Sequence, residues 1–310
     1  MSKLAYIFPG QGSQAVGMGK DLFDNFAVAR EVFAEADKAL GFALSEMCFA
    51  GTAEDLALTE NTQPAILTTS IATFRVMESE GFPIPDFVAG HSLGEYSALV
   101  AAGALNLSDA VQTVRKRGKY MQAAVPVGVG AMAAILGLDS EIIEEVCAHS
   151  AQGQICSPAN INSPSQVVIA GDAEAVDRAI ENLKQRGAKR ALKLNVSAPF
   201  HCGLMYPAQE RLAVDLDSLV YNPLRFPLIQ NYNAKPNSEG GKVGEALVAQ
   251  VCLPVRWLQS VEYLVENGVD TFVEVGTGKV LSGLVRQINR DVRCLNVENS
   301  ESLKLSLESL

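Results

Sequence analysis

The chain has 310 residues, 48% of them hydrophobic, and a formal net charge of −10 at pH 7. This length and apolar fraction predict a folded globular protein, built as one large α/β domain or as one domain with an insertion. The negative charge argues against nucleic acid as a partner, because binding to phosphates needs a dominating basic surface.

The cysteines and the hydropathy indicate the compartment. The six cysteines are widely spread without a C-x-x-C pair, which favours the reduced cytoplasm over a disulfide framework or a zinc site. No apolar run is long enough to span a membrane, and the apolar stretch near the N-terminus ends at Pro9-Gly10, too early for a signal peptide. We therefore predict a cytoplasmic protein with no membrane segment and no metal site.

The first predicted strand covers residues 4–8 and ends at the loop Pro9-Gly-Gln-Gly-Ser13. The loop carries a G-x-G-x-x-A pattern, which superficially fits a dinucleotide fingerprint. A dinucleotide site needs a second strand that ends in an acidic residue, whereas residues 21–40 read as one amphipathic helix. The loop is therefore interpreted as a strand-to-helix connection. It leaves Gln11 at the carboxyl end of a strand, where open α/β sheets bind ligands.

The clearest motif is the G-x-S-x-G sequence at residues 90–94, between a predicted strand at 87–89 and a predicted helix at 95–102. Strand, tight turn and helix in this order are the setting of a nucleophile elbow. Ser92 lies at the apex of the turn, and the Leu93 N–H at the start of the helix is suited to an oxyanion. The flanking strand and helix disfavour the alternative, a serine in an ordinary glycine-containing loop.

Further helices are predicted at 54–58 and 63–79, and Ser108-Asp109 is expected to cap a helix that runs to residue 120. The later turns of that helix carry four cations. Cations favour a helix C-terminus, so a solvated basic face is the ordinary interpretation. Because Arg117 lies four residues before the apolar Met121, we expect one of these cations to face inward. The four are Arg115, Lys116, Arg117 and Lys119.

A different pattern begins at Pro126. Strand, helix, strand, strand, helix and strand follow one another, which is typical of the ferredoxin-like fold. We therefore predict a ferredoxin-like small domain (residues 126–196) inserted in an α/β core (residues 1–125 and 197–310). The core is expected to be an α/β-hydrolase-like parallel sheet. The predicted strands are 127–136, 155–162, 166–170 and 188–196 in the small domain, with helices at 140–148 and 172–186, and 224–231, 271–275 and 292–297 in the core.

An activated serine needs a general base within hydrogen-bond distance. Of the three histidines, His91 lies inside the elbow with its side chain directed away from that of Ser92, and His149 closes a helix of the small domain. His201 lies in a Pro-containing loop after an apolar strand and is the remaining candidate. A buried structural histidine stays open as the alternative. No Asp or Glu stands out as a third catalytic residue.

Six motifs resemble, in the same order, those of the malonyl-CoA:acyl-carrier-protein transacylases of bacterial fatty-acid synthesis. The resemblance extends from Phe8 to about Leu284, and the six motifs together are far more specific than any one alone. One departure is Thr277, where many relatives have Pro. The motifs are Pro9-Gly-Gln-Gly-Ser13, Thr62-Gln-Pro-Ala65, Gly90-His-Ser-Leu-Gly-Glu95, Arg117-Gly-Lys-Tyr-Met121, Ser197-Ala-Pro-Phe-His201 and Glu274-Val-Gly-Thr-Gly278.

The resemblance implies transfer of a malonyl group from malonyl-CoA to the phosphopantetheine thiol of an acyl carrier protein, through a malonyl-serine and without metal or cofactor. It implies Ser92 as the nucleophile and His201 as the base, oriented by the backbone carbonyl of Gln250 in place of a carboxylate. Gln11 and the Leu93 N–H would form the oxyanion hole. The remaining implied residues are Arg117, which would pair with the substrate's free carboxylate, and the secondary pocket residues Gln63, Met121, Asn160, Asn162 and Phe200.

Five cations near the end of the small domain are a candidate docking patch. Acyl carrier proteins are acidic and this chain is acidic too, so docking requires a local basic surface. An ordinary solvated surface is the alternative. Two other functions also stay open: a serine esterase or thioesterase on the same elbow, and a non-catalytic acyl-binding scaffold. The five cations are Lys184, Arg186, Lys189, Arg190 and Lys193.

Overall fold

Two β-sheets organise the part of the chain that the computed structural model describes, which is residues 2–194, 196 and 198–310. The strands are β1 (Lys3–Phe8), β2 (Phe87–Gly90), β3 (Gly130–Leu136), β4 (Cys156–Ser163), β5 (Gln166–Asp172), β6 (Arg190–Lys193), β7 (Leu228–Ile229), β8 (Pro236–Asn237), β9 (Val269–Val275) and β10 (Arg293–Val297). The larger sheet has the order β10-β9-β1-β2-β7-β8, with parallel pairing except between β7 and β8. The smaller sheet has the antiparallel order β4-β5-β3-β6.

Helices flank both sheets. They are α1 (Lys20–Asn25), α2 (Ala27–Leu40), α3 (Leu44–Ala50), α4 (Ala53–Ala57), α5 (Thr59–Ser79), α6 (Gly94–Ala101), α7 (Leu107–Ala124), α8 (Ser140–Ala151), α9 (Ala173–Gln185), α10 (Tyr206–Asp217), α11 (Val243–Cys252), α12 (Trp257–Glu266), α13 (Val280–Ile288) and α14 (Ser300–Ser309), with 3-10 turns at Gly203–Met205 and Gly240–Lys242. None of the helices in the described residues is long and apolar enough to cross a lipid bilayer.

Strand β1 lies at the centre of the larger sheet and is buried on both faces. Leu4, Tyr6 and Phe8 pack into the cluster that contains the side chains of α2, α5 and α7. Ala5 and Ile7 point the other way, into the cluster formed with α12 and α13. A continuous apolar run is what such a doubly covered parallel strand requires. The strand therefore fixes the sheet in the middle of an α/β/α sandwich, with its carboxyl end free to carry a site.

The prediction of one helix over residues 21–40 is wrong. Phe26 has an extended backbone (φ −125°, ψ 128°) and separates α1 from α2. The Arg30 guanidinium donates to the carbonyls of Phe23 and Asp24 at 2.9 and 3.1 Å, which satisfies acceptors that a helix end leaves unpaired. Tertiary packing of Phe26 against the core accompanies the break.

Other element boundaries also differ from the predicted ones. Helix α7 begins at Leu107, because the Asp109 N–H donates to Asn106 Oδ1 at 2.8 Å, so Asn106 is the cap and not Ser108-Asp109. Helix α5 begins at Thr59, four residues before the predicted start. The strand predicted at 224–231 is reduced to Leu228–Ile229, and α3 has no predicted counterpart.

The smaller sheet carries α8 and α9 on one face only. Ala131, Ala133 and Ile135 of β3 pack against both helices. The opposite face, which includes Met132 and Val168, packs against the loop that follows β6. Strand β6 is shorter than the predicted strand at 188–196. Asn195, which falls in that prediction, and Ser197 of the fifth motif lie outside the described residues.

Strand β4 attaches the smaller sheet to the larger one. Ile161 N donates to Val255 O and Val255 N donates to Ala159 O, both at 2.9 Å. Two side-chain bonds add to this attachment, one from Ser163 Oγ to Gln287 Oε1 at 3.0 Å. The other joins His91 Nε2 and Asn162 Oδ1 at 2.8 Å. The open face of the smaller sheet is thereby held over the carboxyl ends of β1 and β2.

Candidate active site

The turn between β2 and α6 brings two backbones closer together than side chains allow. A Cβ on Gly90 would lie 2.0 Å from Gly94 backbone atoms, and a Cβ on Gly94 would lie 2.0 Å from the Phe8 carbonyl oxygen. Ser92, between the two glycines, has φ 52°, in the left-handed region that residues with a Cβ rarely adopt. The strained bend presents the Ser92 side chain above the sheet edge, as the G-x-S-x-G spacing predicted.

Ser92 and His201 are in hydrogen-bond contact. Ser92 Oγ lies 2.7 Å from His201 Nε2, and His201 Nδ1 lies 2.8 Å from the backbone oxygen of Gln250. Because a carbonyl only accepts, Nδ1 carries the ring proton and Nε2 accepts the hydrogen bond from the Ser92 hydroxyl. Among the described residues, no carboxylate hydrogen-bonds His201. The pair therefore has a backbone carbonyl where many serine enzymes have an acid.

The imidazole of His201 is 3% exposed, and its environment favours the neutral form. Burial lowers its pKa to about 3, and the nearby positive charge of Arg117 acts in the same direction, while the Gln250 carbonyl opposes them. A neutral imidazole with a free Nε2 lone pair is the form that can remove a proton from a hydroxyl. The side chain is thus prepared as a base throughout the neutral pH range.

Arg117 on α7 is the cation that faces inward, with 1% of its surface exposed. Its Nη2 donates to Ser92 Oγ at 3.1 Å and to Gln250 Oε1 at 3.0 Å, and its Nη1 donates to Gln63 Oε1 at 2.9 Å. Burial lowers the pKa of the guanidinium, but an arginine stays protonated at neutral pH. Its Nε has no partner within the described residues. The site thus holds a buried cation beside the serine hydroxyl.

A cavity of about 90 Å³ opens above Ser92. It is much smaller than the roughly 300–1,000 Å³ of pockets for drug-sized ligands, which suits a short acyl group. Apart from Gln250 and Asn162, every predicted site residue lines it: Gln11, Gln63, Ser92, Leu93, Arg117, Met121, Asn160, Phe200 and His201. Gln250 lies behind the cavity through its contacts with Arg117 and His201. The Asn162 side-chain oxygen Oδ1 instead accepts a hydrogen bond from His91 Nε2.

A second cavity, of about 280 Å³, adjoins the first through Gln11, His91 and Asn160. It runs between the two sheets, from the loop after β1 to the start of α13. Asn162 lines this second cavity, with Gln166 of the smaller sheet. A thin, extended molecule bound between the two sheets would therefore lie next to the cavity above Ser92.

Two residues that the sequence analysis did not assign to the site complete it. Glu95, 1% exposed, accepts from Gln250 Nε2 at 2.7 Å and from the Asn231 backbone N–H at 3.1 Å. Burial raises the pKa of Glu95 to about 7, and the hydrogen bonds oppose that shift. Asn231 Oδ1 in turn accepts from the Ser92 backbone N–H at 2.7 Å. Glu95 belongs to the elbow motif, but nothing in the sequence indicated its partners.

The five cations of the predicted docking patch do not share one face of the smaller sheet. Lys184 pairs with Glu181, Arg186 with Glu145 and Lys193 with Asp177, at 2.7 to 2.9 Å. Lys193 is opposite Ala133 on the helix-covered face of the sheet. Arg190 is opposite Leu136 and therefore shares the open face with Met132, which lines the catalytic cavity. Neither Lys189 nor Arg190 forms an ion pair within the described part of the chain.

The arrangement can support acyl transfer. It combines a hydroxyl on a strained turn, a neutral imidazole that accepts the hydroxyl proton, a helix N-terminus beside the hydroxyl and a buried cation that can bind an anionic acyl group. In the described residues, no group of three or more His, Cys, Asp or Glu side chains could hold a metal ion.

Comparison with known proteins agrees with this chemistry. A family model described as "Acyl transferase domain" matches residues 5–303, and the chain belongs to that family. Within it, the malonyl CoA-acyl carrier protein transacylase of Bacillus subtilis (strain 168) is 49% identical over 100% of this chain and 98% of its own length. The enzyme of the same name from Escherichia coli (strain K12) is 48% identical over 99% and 100%. The predicted resemblance to these transacylases is confirmed.

A solved structure extends the comparison to the fold. It is titled as a type II PKS acyl-carrier protein in complex with its malonyl-transacylase, and the matched chain is 47% identical with a TM-score of 0.97. The match covers 100% of both chains.

We predict that the His201 imidazole does not titrate between about pH 5 and pH 8, because burial and the Arg117 charge disfavour the imidazolium. NMR of protein labelled at the histidine Cε1 carbon, recorded over this range, measures it directly. The His149→Gln variant assists assignment. A His201 step near the ordinary value of about 6.5 would contradict the prediction.

Proposed function

We propose that this chain transfers a malonyl group from malonyl-CoA to the phosphopantetheine thiol of an acyl carrier protein, through a malonyl ester of Ser92. The observation that carries the proposal is the position of Ser92 Oγ, 2.7 Å from His201 Nε2 and 3.1 Å from Arg117 Nη2. Acylation by a short diacid requires a base that takes the hydroxyl proton and a cation nearby that binds the free carboxylate. Both groups contact the Ser92 hydroxyl. The names of the relatives support the same substrates.

In the first half-reaction, Ser92 Oγ attacks the thioester carbonyl while its proton passes to His201 Nε2. The Leu93 N–H at the start of α6 and Gln11 stabilise the oxyanion, each donor being worth roughly 3 kcal/mol of the barrier. The tetrahedral intermediate collapses, the C–S bond breaks, and the CoA thiolate takes the proton from the imidazolium. Burial of the His201 ring lowers its pKa and favours return of the proton from the imidazolium to the thiolate.

The second half-reaction runs the same chemistry in reverse with a new thiol. His201 takes the proton of the phosphopantetheine thiol, and the sulfur attacks the malonyl ester carbonyl. The C–O bond to Ser92 then breaks, and Ser92 Oγ takes the proton back from His201 Nε2. Both thiols have similar pKa values, roughly 8.5, so the leaving group needs less protonation than an amine. A backbone carbonyl at Gln250 is then enough to orient the base. The two steps give ping-pong kinetics.

Arg117 selects the diacid. The free carboxylate of a malonyl ester is separated from the acyl carbon by one methylene, and the guanidinium lies one hydrogen bond from the serine oxygen. The substrate carboxylate replaces Ser92 Oγ as acceptor and gives the planar fork two parallel bonds, which a lysine could not match. An acetyl group leaves the buried cation without this partner.

The second cavity is the route for the thioester arm, because it joins the catalytic cavity at Gln11, His91 and Asn160 and opens between the domains.

The assignment of the two sheets to named fold types rests on their strand orders. A parallel sheet with a nucleophile elbow after a central strand supports an α/β-hydrolase-like core, residues 1–125 and 197–310. The antiparallel order β4-β5-β3-β6 with two helices on one face supports a ferredoxin-like insertion, residues 126–196.

The reaction as written needs no resident cofactor or metal, since proton transfer and the oxyanion are handled by protein groups. We place the protein in the cytoplasm, where malonyl-CoA and carrier protein would meet it. The six unpaired cysteines support a reduced compartment.

For docking of the acidic carrier protein, we narrow the surface to Lys189 and Arg190. Lys184, Arg186 and Lys193 are in exposed ion pairs with acidic partners, which reduces their net charge toward a partner protein. Arg190 lies opposite Leu136, on the same open face of the smaller sheet as Met132 of the catalytic cavity, and Lys189 precedes it in the chain.

Incubation with malonyl-CoA is expected to add one malonyl group to Ser92, and later addition of carrier protein should remove it. Mass spectrometry of the intact protein and of its peptides measures both steps. Ser92→Ala should prevent labelling, and the matched surface variant Ser108→Ala should label normally. Loss of the label to water without an acceptor thiol would indicate an esterase or thioesterase, and no label at all would indicate a scaffold.

Arg117→Ala is expected to lower kcat/KM for malonyl transfer by about 100-fold or more, because two charge-assisted hydrogen bonds to the substrate carboxylate are lost. Acetyl transfer should persist or increase. The matched control is Arg115→Ala on the same helix, whose guanidinium stacks 4.1 Å from the Phe42 ring. Equal loss of malonyl and acetyl transfer in folded Arg117→Ala protein would contradict the assigned role.

Reversal of charge at Lys189 and Arg190 is expected to raise KM for carrier protein by about tenfold and leave KM for malonyl-CoA unchanged. The matched control reverses Lys184 and Arg186, which belong to the same domain but are paired with Glu181 and Glu145. An unchanged KM for carrier protein, or an equal rise for malonyl-CoA, would rule out this docking surface.

A further inference from the structure

Among the described residues, Gln250 hydrogen-bonds the base, the buried cation and the backbone of the nucleophile. Its backbone oxygen accepts from His201 Nδ1. Its side-chain Oε1 accepts from Arg117 Nη2 at 3.0 Å, and its Nε2 donates to the Ser92 backbone oxygen at 2.9 Å. The orientation of this amide therefore decides whether Arg117 meets an acceptor or another donor.

The Gln250 amide has only one orientation that satisfies its neighbours. A guanidinium only donates, so the oxygen must face Arg117, and a backbone carbonyl only accepts, so the NH₂ must face Ser92 O. Glu95 Oε2 lies 2.7 Å from the same NH₂ and supplies its second acceptor. Rotated by half a turn, the amide would direct its oxygen at two acceptors and its NH₂ at the guanidinium.

We propose that Glu95 is a positioning residue for diacid recognition: by accepting from Gln250 Nε2, its carboxyl fixes the Gln250 amide and so holds the Arg117 guanidinium beside Ser92. Glu95 itself touches neither the base nor the cavity. The Asn231 backbone N–H, which donates to the same oxygen at 3.1 Å, keeps the carboxyl in place. The inference rests on the proposed function, since it concerns recognition of the malonyl carboxylate.

The position of this carboxyl supports a role in the site. Burial of a carboxyl is unfavourable, and here it raises the pKa of Glu95 to about 7. Glu274, the comparable buried carboxyl of β9, has an evident structural task. It accepts from the Leu281 and Ser282 N–H groups at the start of α13, at 3.0 and 2.7 Å. Glu95 does not accept from the N–H groups at the start of a helix as Glu274 does. It accepts instead from the Gln250 side-chain amide and from the Asn231 backbone N–H.

The test compares two rates at the same serine. One is acylation of Ser92 by malonyl-CoA, which needs Arg117, and the other is labelling of Ser92 by an uncharged fluorophosphonate, which does not. Glu95→Leu removes the acceptor at similar size, and Glu95→Gln keeps an acceptor oxygen. Thr73→Val is the matched buried control, because it removes a hydrogen bond to the Thr69 carbonyl outside both cavities. Wild-type protein that labels with the probe but never with malonyl-CoA would refute the proposed function rather than this inference.

We expect Glu95→Leu to slow malonyl acylation at least about tenfold more than probe labelling, because the Gln250 NH₂ loses its charge-assisted hydrogen bond and the amide is held less firmly against Arg117. Glu95→Gln should stay within about threefold of wild type in the ratio of the two rates, and Thr73→Val should leave that ratio unchanged. The proposal would be overturned if Glu95→Leu slowed malonyl acylation and probe labelling equally. It would also be overturned if Glu95→Gln slowed malonyl acylation relative to probe labelling as much as Glu95→Leu does.

A second variant tests the route through Gln250. Gln250→Met removes the amide and keeps the backbone carbonyl for His201, so it should reproduce the malonyl-selective loss. In that background Glu95→Leu should change the ratio less than about twofold. If Gln250→Met keeps full malonyl acylation, or if the two changes add independently, Glu95 does not act through this amide. The first of these outcomes decides the question even if Glu95→Leu does not fold.

Discussion

The hydrogen bond between Ser92 Oγ and His201 Nε2 is the contact on which the rest of the site depends. It joins residues 109 positions apart in the chain, with the small domain between them. Both residues have left-handed backbones, with φ values of 52° and 58°. Each such conformation costs on the order of 1 kcal/mol or more and persists only when the surrounding structure requires it. The close backbone approach at Gly90 and Gly94 holds the Ser92 turn, and the hydrogen bonds of His201 to Ser92 and to the Gln250 carbonyl hold the histidine.

The second constraint is a buried cation without a buried anion in direct contact. Arg117 is surrounded by neutral acceptors from Gln63, Gln250 and Ser92, and of these a substrate carboxylate can replace the Ser92 hydroxyl. A direct ion pair would have neutralised it in advance and made exchange for the substrate unfavourable. Glu95 is separated from Arg117 by the Gln250 amide, which lets its charge stabilise the cation without occupying the carboxylate position.

Several features of the fold and site were predictable from local sequence because they depend on short-range physics. The apolar run of β1, the G-x-S-x-G turn and the order of elements in the small domain follow from hydrophobic pattern and glycine placement. The break at Phe26 did not, because the helical period continues through it and the stop comes from Arg30 reaching back to two carbonyls. Asn106, Ser108 and Asp109 are all residue types that can cap a helix. Only the hydrogen bond from the Asp109 N–H to Asn106 identifies Asn106 as the cap.

The site residues divide in the same way. Ser92 could be recognised from its own neighbours, and His201 by elimination among three histidines. The roles of Arg117 and Gln250 came from family resemblance, since nothing in a helix of four cations or in the apolar α11 indicates them. Asn162, expected in the catalytic pocket, instead holds the His91 ring and lines the neighbouring cavity. The partners of Glu95 lie 136 and 155 positions away and had no signal in the sequence.

By itself, the sequence determined the central strand and the strained serine turn, because each depends on the sterics and hydropathy of a continuous run of residues. It also determined the family, through six short motifs in a fixed order. Only the tertiary structure decided which of four cations enters the core, which carbonyl orients the imidazole, and which amide joins them. Those contacts form between distant segments, and the packing of α7 and α11 against the elbow, rather than any local preference, brings their donors and acceptors within hydrogen-bond distance.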